Sequence, residues 1–478
     1  MENLLSKIKN IKIIQGGMGA GVPNHELARE VSKLNQLGVI SGLTPEKDIT
    51  RKLQNGNEEV KNALLEFQDK DYANLVLEKY FISGGKNKNQ EYKTTPFPSL
   101  LTDEKKNITL KKDLEKLIVI SSFTEVTLAK KGHDNPIGIN FLYKIEWPII
   151  PSLYGAMLAG VDAVLIGAGL PVTIPEVLDS LSKNKETTMK ATIIGGEDYK
   201  FSFNSKNIVN QTEELKRPIF LAIINGHLAA RGVRNADGYI VEGPIAGGHN
   251  PPARSKKLTE NGEPEYGKKD SLNLEAFKSF LESNARERGK EIQPYWFAGN
   301  YANRLPDALN EGAKGVQVGT PFALSRESKI IQPGKEKLIK SIIDEKMVVY
   351  TDPLFSPSGY PFKVAQLEGS LSDEDIYHSR KRVCNAGYLV DIVERNGNLI
   401  TRCKSEPISH YKRKGGKIED TKGKKCLCNG LLTTVGIGNL NEPASYTLGS
   451  NQDSVRDIVK LKGISYTAKD VIEYILKK

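Results

Sequence analysis

The sequence predicts an α/β protein built as a closed (β/α)₈ barrel of the TIM type, and three observations predict it. Between residues 11 and 330, short apolar runs rich in β-branched residues alternate with stretches of helical periodicity, the rhythm of a parallel sheet with crossover helices. Eight such runs can be counted. Each ends in glycine, asparagine or a polar residue, where a barrel carries its site-forming loops. A doubly wound open sheet is the competing arrangement.

Taken in order, the first strand is Ile11–Gln15, ending in the loop Gly16-Gly17-Met18-Gly19-Ala20-Gly21, and the helix His25–Leu34 follows. Gly38–Gly42 is the second strand. The stretch from Thr44 to Lys131 is charged, helix-rich and too long for a plain connection, so it reads as a helical insertion (44–131). The rhythm resumes with strand Ile137–Phe141, helix Pro151–Ala159, strand Ala163–Gly167 and helix Pro175–Leu181. Thr188–Phe203 alternates around a Gly195-Gly196 turn, which predicts a hairpin excursion over 187–217 before strand Ile219–Ile224. The sixth strand starts at Gly238. Leu272–Leu281 is helical, Tyr295–Ala298 a strand, Leu305–Asn310 a helix and Val316–Val318 the eighth strand.

The barrel domain is therefore expected over 1–346. From Met347 the rhythm stops, and 347–478 reads as an extension packed on the barrel. It has short strand-like pieces such as Ala386–Ile392 and a closing amphipathic helix, Ala468–Leu476.

Composition narrows the function classes. The chain has 478 residues, 38% hydrophobic and 26% charged, as expected of a soluble globular protein. Its net charge of +10 is spread along the chain, with no basic arm, Lys/Arg helix stripe, RNP pattern or zinc-finger pattern, so a nucleic-acid partner is not expected. No apolar run approaches membrane-spanning length, and the first nine residues lack an h-region and a cleavage site. No membrane partner is expected, and a cytoplasmic location follows. The four cysteines, too few for a disulfide framework, all lie in the extension. Cys426 and Cys428 are spaced more tightly than a usual zinc pair and Cys384 and Cys403 are isolated, which favours buried thiols over a metal site.

The central stretch is Gly238-Tyr239-Ile240-Val241-Glu242-Gly243-Pro244-Ile245-Ala246-Gly247-Gly248-His249-Asn250-Pro251-Pro252. A buried strand breaks into small residues, where backbone can lie flat against a planar ligand, and then presents one imidazole held by two prolines. This is how a barrel enzyme would set an acid/base group beside a cofactor. A glycine turn bearing a solvated histidine is the bland alternative. Nucleotide motifs fail on inspection: Val22 and Val172 stand where a dinucleotide fingerprint needs its third glycine. Gly262–Lys269 has Lys269 where a P-loop needs Ser or Thr. A better phosphate cradle is Gly299-Asn300 with Gly319-Thr320, at the tips of the seventh and eighth strands. The other histidines read blandly: His25 at a helix start, His133 in a loop, His378 and His410 on the surface. His227, after the fifth strand, could face a pocket.

Over residues 11–330 the sequence resembles the FMN-dependent nitronate monooxygenases, formerly called 2-nitropropane dioxygenases, which have flavin-dependent enoyl-ACP reductases as relatives. The resemblance is carried by Gln15-Gly16-Gly17-Met18-Gly19, Gly138-Ile139-Asn140, Ala246-Gly247-Gly248-His249, and Gly319-Thr320-Pro321-Phe322-Ala323 with Glu327-Ser328. Arg402-Cys403, Glu406-Pro407 and Lys424-Lys425-Cys426-Leu427-Cys428-Asn429-Gly430 look like the extra segment of the longer members. The resemblance implies FMN at the C-terminal ends of the strands. Gln15, Gly16, Gly17 and Met18 would lie against the ring, Asn140 would bond its edge, and Gly247 and Gly248 would leave room for it. Gly299, Asn300, Gly319 and Thr320 would hold the phosphate, and His249 matches the catalytic histidine.

Three positions depart from the pattern and bear on the substrate. Gly17 replaces a usual proline, Ile245 stands where relatives often carry an acid, and His249 is followed by Asn-Pro-Pro. The implied activity is oxidation of alkyl nitronates with O₂ to carbonyl compounds and nitrite. An NAD(P)H-dependent enoyl-thioester reductase and a flavin- or metal-binding accessory protein are the alternatives. The expected partner is a small-molecule substrate, with O₂ or NAD(P)H as co-substrate.

Overall fold

In the computed structural model, which describes residues 2–477, eight parallel strands form one sheet nearly closed into a barrel. They are β1 (Ile13–Gln15), β2 (Gly38–Ser41), β3 (Ile137–Leu142), β4 (Ala163–Gly167), β5 (Ile219–Ile224), β6 (Gly238–Glu242), β7 (Tyr295–Ala298) and β8 (Gly315–Val318). Neighbours in the chain are neighbours in the sheet, and β8 returns to β1. The seam between β1 and β2 is the weak one, reduced to a single bridge between Ile14 and Leu37. There the Leu37 carbonyl accepts from Gln15 N–H at 3.0 Å and Leu37 N–H donates to Ile13 at 3.1 Å.

Period-two alternation sorts the strand residues into two cores. Ile14, Val39, Leu165, Leu221, Ile240 and Trp296 point into the barrel and pack with one another. Their neighbours Ile13, Ile40, Ile166, Phe220, Val241 and Phe297 point outward under the helices. A helix at Glu2–Lys9, not anticipated from the sequence, plugs the N-terminal end of the barrel. Its Leu4 and Ile8, with Ile11 beyond, join the inner core, and Trp296 Nε1–H donates to the Ile11 carbonyl at 2.9 Å. With that end filled, the room for a ligand lies at the opposite mouth.

Residues 44–131 hold more than helices. After Pro45–Gln54, Glu58–Leu64 and Lys70–Tyr80 comes a hairpin, Leu100–Thr102 with Asn107–Leu110, then the long helix Lys112–Lys130. That last helix packs against His25–Lys33 and Ile149–Leu158, so it stands in the barrel's outer ring. The hairpin expected near 188–203 pairs Thr187–Lys190 with Lys200–Phe203, and its second strand runs parallel to Asn107–Leu110. The two excursions thus share one four-stranded sheet. A buried ion cluster ties the insertion to the ring. Lys52 Nζ lies 2.5 Å from Asp48 and 3.2 Å from Glu125, and Glu125 also accepts from His25 N–H at 2.8 Å. His25 therefore has a structural role at its helix start.

In the extension, Val349–Asp352 and Phe362–Ala365 pair antiparallel, and the second of these pairs with Gly248–His249. The strand expected at Ala386–Ile392 lies instead at Asp391–Arg395, hairpinned to Asn398–Arg402. Asn396 and Gly397 both have positive φ (51° and 75°), the tight Asn-Gly turn that sets this register. The closing helix, Ala468–Lys477, docks on His25–Lys33. Among the described residues no helix is long and apolar enough to cross a membrane.

Candidate functional site

The alternation that fills the barrel also builds the floor of a cavity at its C-terminal mouth. Ser41, Asn140, Glu242, Ala298 and Gln317 are the inward residues at the ends of β2, β3, β6, β7 and β8, and all five line it. Of the twelve site residues read from the sequence, eleven line this one cavity: Gly16, Gly17, Met18, Asn140, Gly247, Gly248, His249, Gly299, Asn300, Gly319 and Thr320. Gln15 does not. It follows Ile14 on the opposite parity, is fully buried, and closes the β1–β2 seam: its Oε1 accepts from Val39 N–H at 3.0 Å and its Nε2 donates to Gly16 O at 2.6 Å.

Two glycines have reasons of different kinds. A Cβ at Gly247 would sit 2.9 Å from the Leu448 carbonyl carbon, so the space at Gly247 belongs to the extension's backbone. Gly248, with φ of 84°, has open space where its Cβ would be. At Gly17 a Cβ would fall 2.2 Å from Asn140 Oδ1 and 2.7 Å from Asn140 Cβ. The proline usual in the resembled family cannot stand there with Asn140 in place. Gly17→Ala is therefore expected to displace the Asn140 carboxamide from the cavity floor and to lower the thermal midpoint, since Asn140 Cβ, the root of that side chain, is also in the way. A melting curve checks it.

His249 is held by a strand rather than by its prolines. It pairs with Phe362, whose ring meets the imidazole edge-on at 4.8 Å between centroids, and Asn250 N–H donates to the Pro361 carbonyl at 2.9 Å. Its Nε2 shares a 2.8 Å hydrogen bond with Ser356 Oγ, which in turn contacts Ser358 Oγ at 2.7 Å. Burial, and the positive charge of Lys144 nearby, push the imidazole well below its usual pKa of 6.5. The ring is neutral at physiological pH. Lys144 Nζ is itself buried, with no hydrogen-bond partner among the described residues, 4.4 Å from the centroid of the Tyr360 ring, and burial drives its pKa well down.

The sequence reading missed Glu242. Its carboxyl opens on the cavity floor with no ion pair or hydrogen bond among the described residues, and burial raises it to about 7. The signal was present: Glu242 lies two residues after the inward Ile240 and shares its face of β6. Because the folded-state pKa is raised, the native state holds this proton between the unfolded value of 4.5 and about 7. Its contribution to stability is present below pH 4.5 and is lost as pH rises through 7. Glu242→Gln, permanently neutral, is expected to gain thermal stability relative to wild type as pH goes from 5 to 8. Paired melting curves across that range check the sign.

The roof comes from the extension and the insertion. Phe362, Tyr388, Leu389, Cys428 and Thr447–Gly449 cover the cavity, and Leu43 and Thr44 close one side. Gly248 N–H donates to Thr447 Oγ1 at 2.7 Å, and Gly449 N–H donates to Thr320 Oγ1 at 2.8 Å. The Tyr388 hydroxyl donates to Glu46 of helix Pro45–Gln54, joining the two parts of the roof. All four cysteines are free, and the Cys384 and Cys403 thiols interact directly. Among the described residues no group of three or more His, Cys, Asp or Glu side chains is arranged to hold a metal ion. His227 opens the helix His227–Gly232 and is not on the cavity wall. His133 bonds the Ala129 carbonyl at 2.9 Å, and His378 and His410 are exposed.

No family model and no curated protein matches this chain. Solved structures to which it is similar include FabK from Thermotoga maritima, at 18% identity and a TM-score of 0.47, over 99% of this chain and 94% of that one. A nitroalkane oxidase from Streptomyces ansochromogenes matches at 13% identity and a TM-score of 0.48, over 99% and 97%. The enoyl reductase domain of MlnA from Bacillus amyloliquefaciens matches at 10% and 0.49, over 100% and 96%.

Proposed function

We propose that this chain is an FMN-dependent oxidoreductase acting as a nitronate monooxygenase, converting alkyl nitronates with O₂ into carbonyl compounds and nitrite. The observation that carries the reading is the convergence of four separate loops of glycine, asparagine and threonine on one cavity that also holds a single neutral imidazole. The residues present fit the cofactor. Gln317 Oε1, on the cavity wall, is a buried acceptor without a donor among the described residues. Gly248 and Gly319 leave space that side chains would fill.

Gly16, Gly17 and Met18 would flank the ring, Asn140 and Gln317 would bond its edge, and Gly299, Asn300, Gly319 and Thr320 would hold the phosphate. Bound FMN supplies the capacity to take up electrons from the substrate and pass them to O₂. The chain's own part is positional and electrostatic. His249, kept neutral, hydrogen-bonds the substrate anion and can exchange a proton with it, while the roof of Phe362, Leu389 and Leu448 excludes water.

The test is the absorption spectrum of freshly purified protein, followed by anaerobic mixing. A flavin spectrum bleached by a nitronate, and not by NADH or NADPH, is the expected result. Colourless protein that does not take up added FMN would end the reading, and rapid bleaching by NADPH would replace it with an enoyl-thioester reductase.

A further inference from the structure

We propose that Cys384 and Cys403 form a reversible oxidation site, a thiol pair that a hydroperoxide converts to a disulfide. The proposal stands on the fold of the extension and is independent of the nitronate reading. The hairpin of Asp391–Arg395 with Asn398–Arg402 sets Asp391 opposite Arg402, so Cys403, the next residue, leaves the hairpin alongside the loop that enters it. Cys384 lies on that loop, and the two thiols meet in a hydrogen bond. Cys403 is buried at 5% exposure, whereas Cys384 is partly exposed and follows the exposed Val383. A thiol pair that oxidises in two steps needs this asymmetry, one sulfur open to the oxidant and its partner held behind it.

The contacts divide the roles. The Cys403 thiol donates to the Cys384 sulfur, and this bond is the main cause that holds Cys384 below the usual thiol value of 9.0. Burial opposes it, and Gly387 N–H adds a second donor to the same sulfur. Cys403 is pushed well above 9.0 by the same bond and by burial, while its sulfur accepts from Ser405 N–H at 3.4 Å. Cys384 is therefore the nucleophile and Cys403 the resolving thiol. The other two cysteines are engaged elsewhere. Cys426 lies against Arg380 and 3.8 Å from the Val383 carbonyl, and the Cys428 sulfur accepts from the N–H groups of Tyr388 and Leu389. Burial raises both, Cys428 to about 11. The loop that starts at Cys384 carries Tyr388 and Leu389 into the cavity roof, so the disulfide would tether that part of the roof to the hairpin.

In the first step the Cys384 thiolate attacks one oxygen of the hydroperoxide. An S–O bond forms, the O–O bond breaks, and the departing oxygen takes up the proton that Cys384 released. The Cys403 sulfur then attacks the Cys384 sulfenic acid: the S–S bond forms, the S–O bond breaks, and hydroxide leaves with the Cys403 proton as water. Two electrons pass from the pair of thiols to the hydroperoxide, so hydrogen peroxide ends as two waters. An external dithiol reverses the oxidation by exchange.

The experiment treats the reduced, full-length protein with a small excess of hydrogen peroxide, blocks the remaining thiols with N-ethylmaleimide and maps the digest by mass spectrometry. Wild type is expected to keep Cys426 and Cys428 as blocked thiols and to yield one cross-linked peptide pair, Cys384 to Cys403, that dithiothreitol separates. Cys403→Ser should stop at the sulfenic acid, trapped by dimedone on Cys384. Cys384→Ser should lose its remaining thiols about tenfold more slowly than wild type. Circular dichroism establishes that each variant is folded, and the wild-type digest decides the matter if one is not. Four intact thiols in peroxide-treated wild type, a disulfide joining any other pair, or undiminished oxidation of folded Cys384→Ser would overturn the proposal.

Discussion

Replacing His249 by alanine is expected to reduce turnover of the FMN-loaded protein by about 10²–10⁴-fold, the range for loss of a positioned acid/base or charge-stabilising group. FMN should remain bound, because the imidazole belongs to the roof side of the cavity and none of the proposed phosphate contacts involves it. The β-pairing of residue 249 with Phe362 is made by backbone and survives the substitution. Removing Ser356, which bonds His249 Nε2, takes away one hydrogen bond worth ~1 kcal/mol. Ser356→Ala should therefore cost tenfold or less.

The pH dependence separates the groups further. With its pKa held well below 6.5, His249 stays neutral above that value, so it contributes no activity limb between pH 6.5 and 8. A depressed histidine pKa also means that the unfolded state binds the extra proton. Its effect is a loss of stability as pH falls below 6.5. Steady-state kinetics on His249→Ala and Ser356→Ala, with flavin content measured on each, test the set. Wild-type turnover by His249→Ala would move the chemistry elsewhere in the cavity.

The largest stability effect is expected at Gly155. It lies mid-helix in Ile149–Leu158, where a Cβ would stand 2.1 Å from the carbonyl oxygen of Val119 on Lys112–Lys130. Both helices are buried along this contact, and both sit on the sheet, so neither backbone can retreat without lifting off its strands. Alanine would gain ~1 kcal/mol of helix propensity over glycine. Overpacking against fixed backbone costs about 3 kcal/mol or more and wins. Gly155→Ala should lower the urea midpoint with little change in slope, and Gly155→Val should be recovered mainly as insoluble protein. Gly38, where a Cβ would meet the Ala28 carbonyl oxygen at 1.9 Å, is expected to behave alike. A midpoint equal to wild type for Gly155→Ala would show that the two helices have room to part.

Much of the barrel was legible because its strands are short, apolar and punctuated. Ala163–Gly167, Ile219–Ile224 and Tyr295–Ala298 fall on the residues expected; the helix expected at Pro175–Leu181 gains one residue at each end, whereas the one expected at Leu272–Leu281 starts at Leu274 and runs on to Arg288. The hairpin at Leu100–Leu110 was not legible, since its pairing with the 187–203 strands joins residues 93 apart in sequence, Asn107 with Lys200. The Asn396-Gly397 turn was readable as a hairpin signal and would have set the strand at Asp391 rather than Ala386.

At the site, residue type was a good guide to the glycines and to His249 but not to direction. Gln15 and Glu242 both end strands. Counting by twos from Ile14 and Ile240 turns the first out of the barrel and the second in. That count needed only the knowledge of which face was inside.

The sequence by itself determined the parallel barrel, its eight strands and the loops that end them, because periodicity and glycine placement act over a few residues at a time. The tertiary structure decided what those loops enclose. Ser356, Phe362 and Thr447–Gly449 come from more than a hundred residues downstream to fix the imidazole and roof the cavity. The same enclosure strips water from His249 and Glu242 and moves their proton affinities in opposite directions. Desolvation is a property of the whole surrounding shell, which no local stretch of sequence encodes.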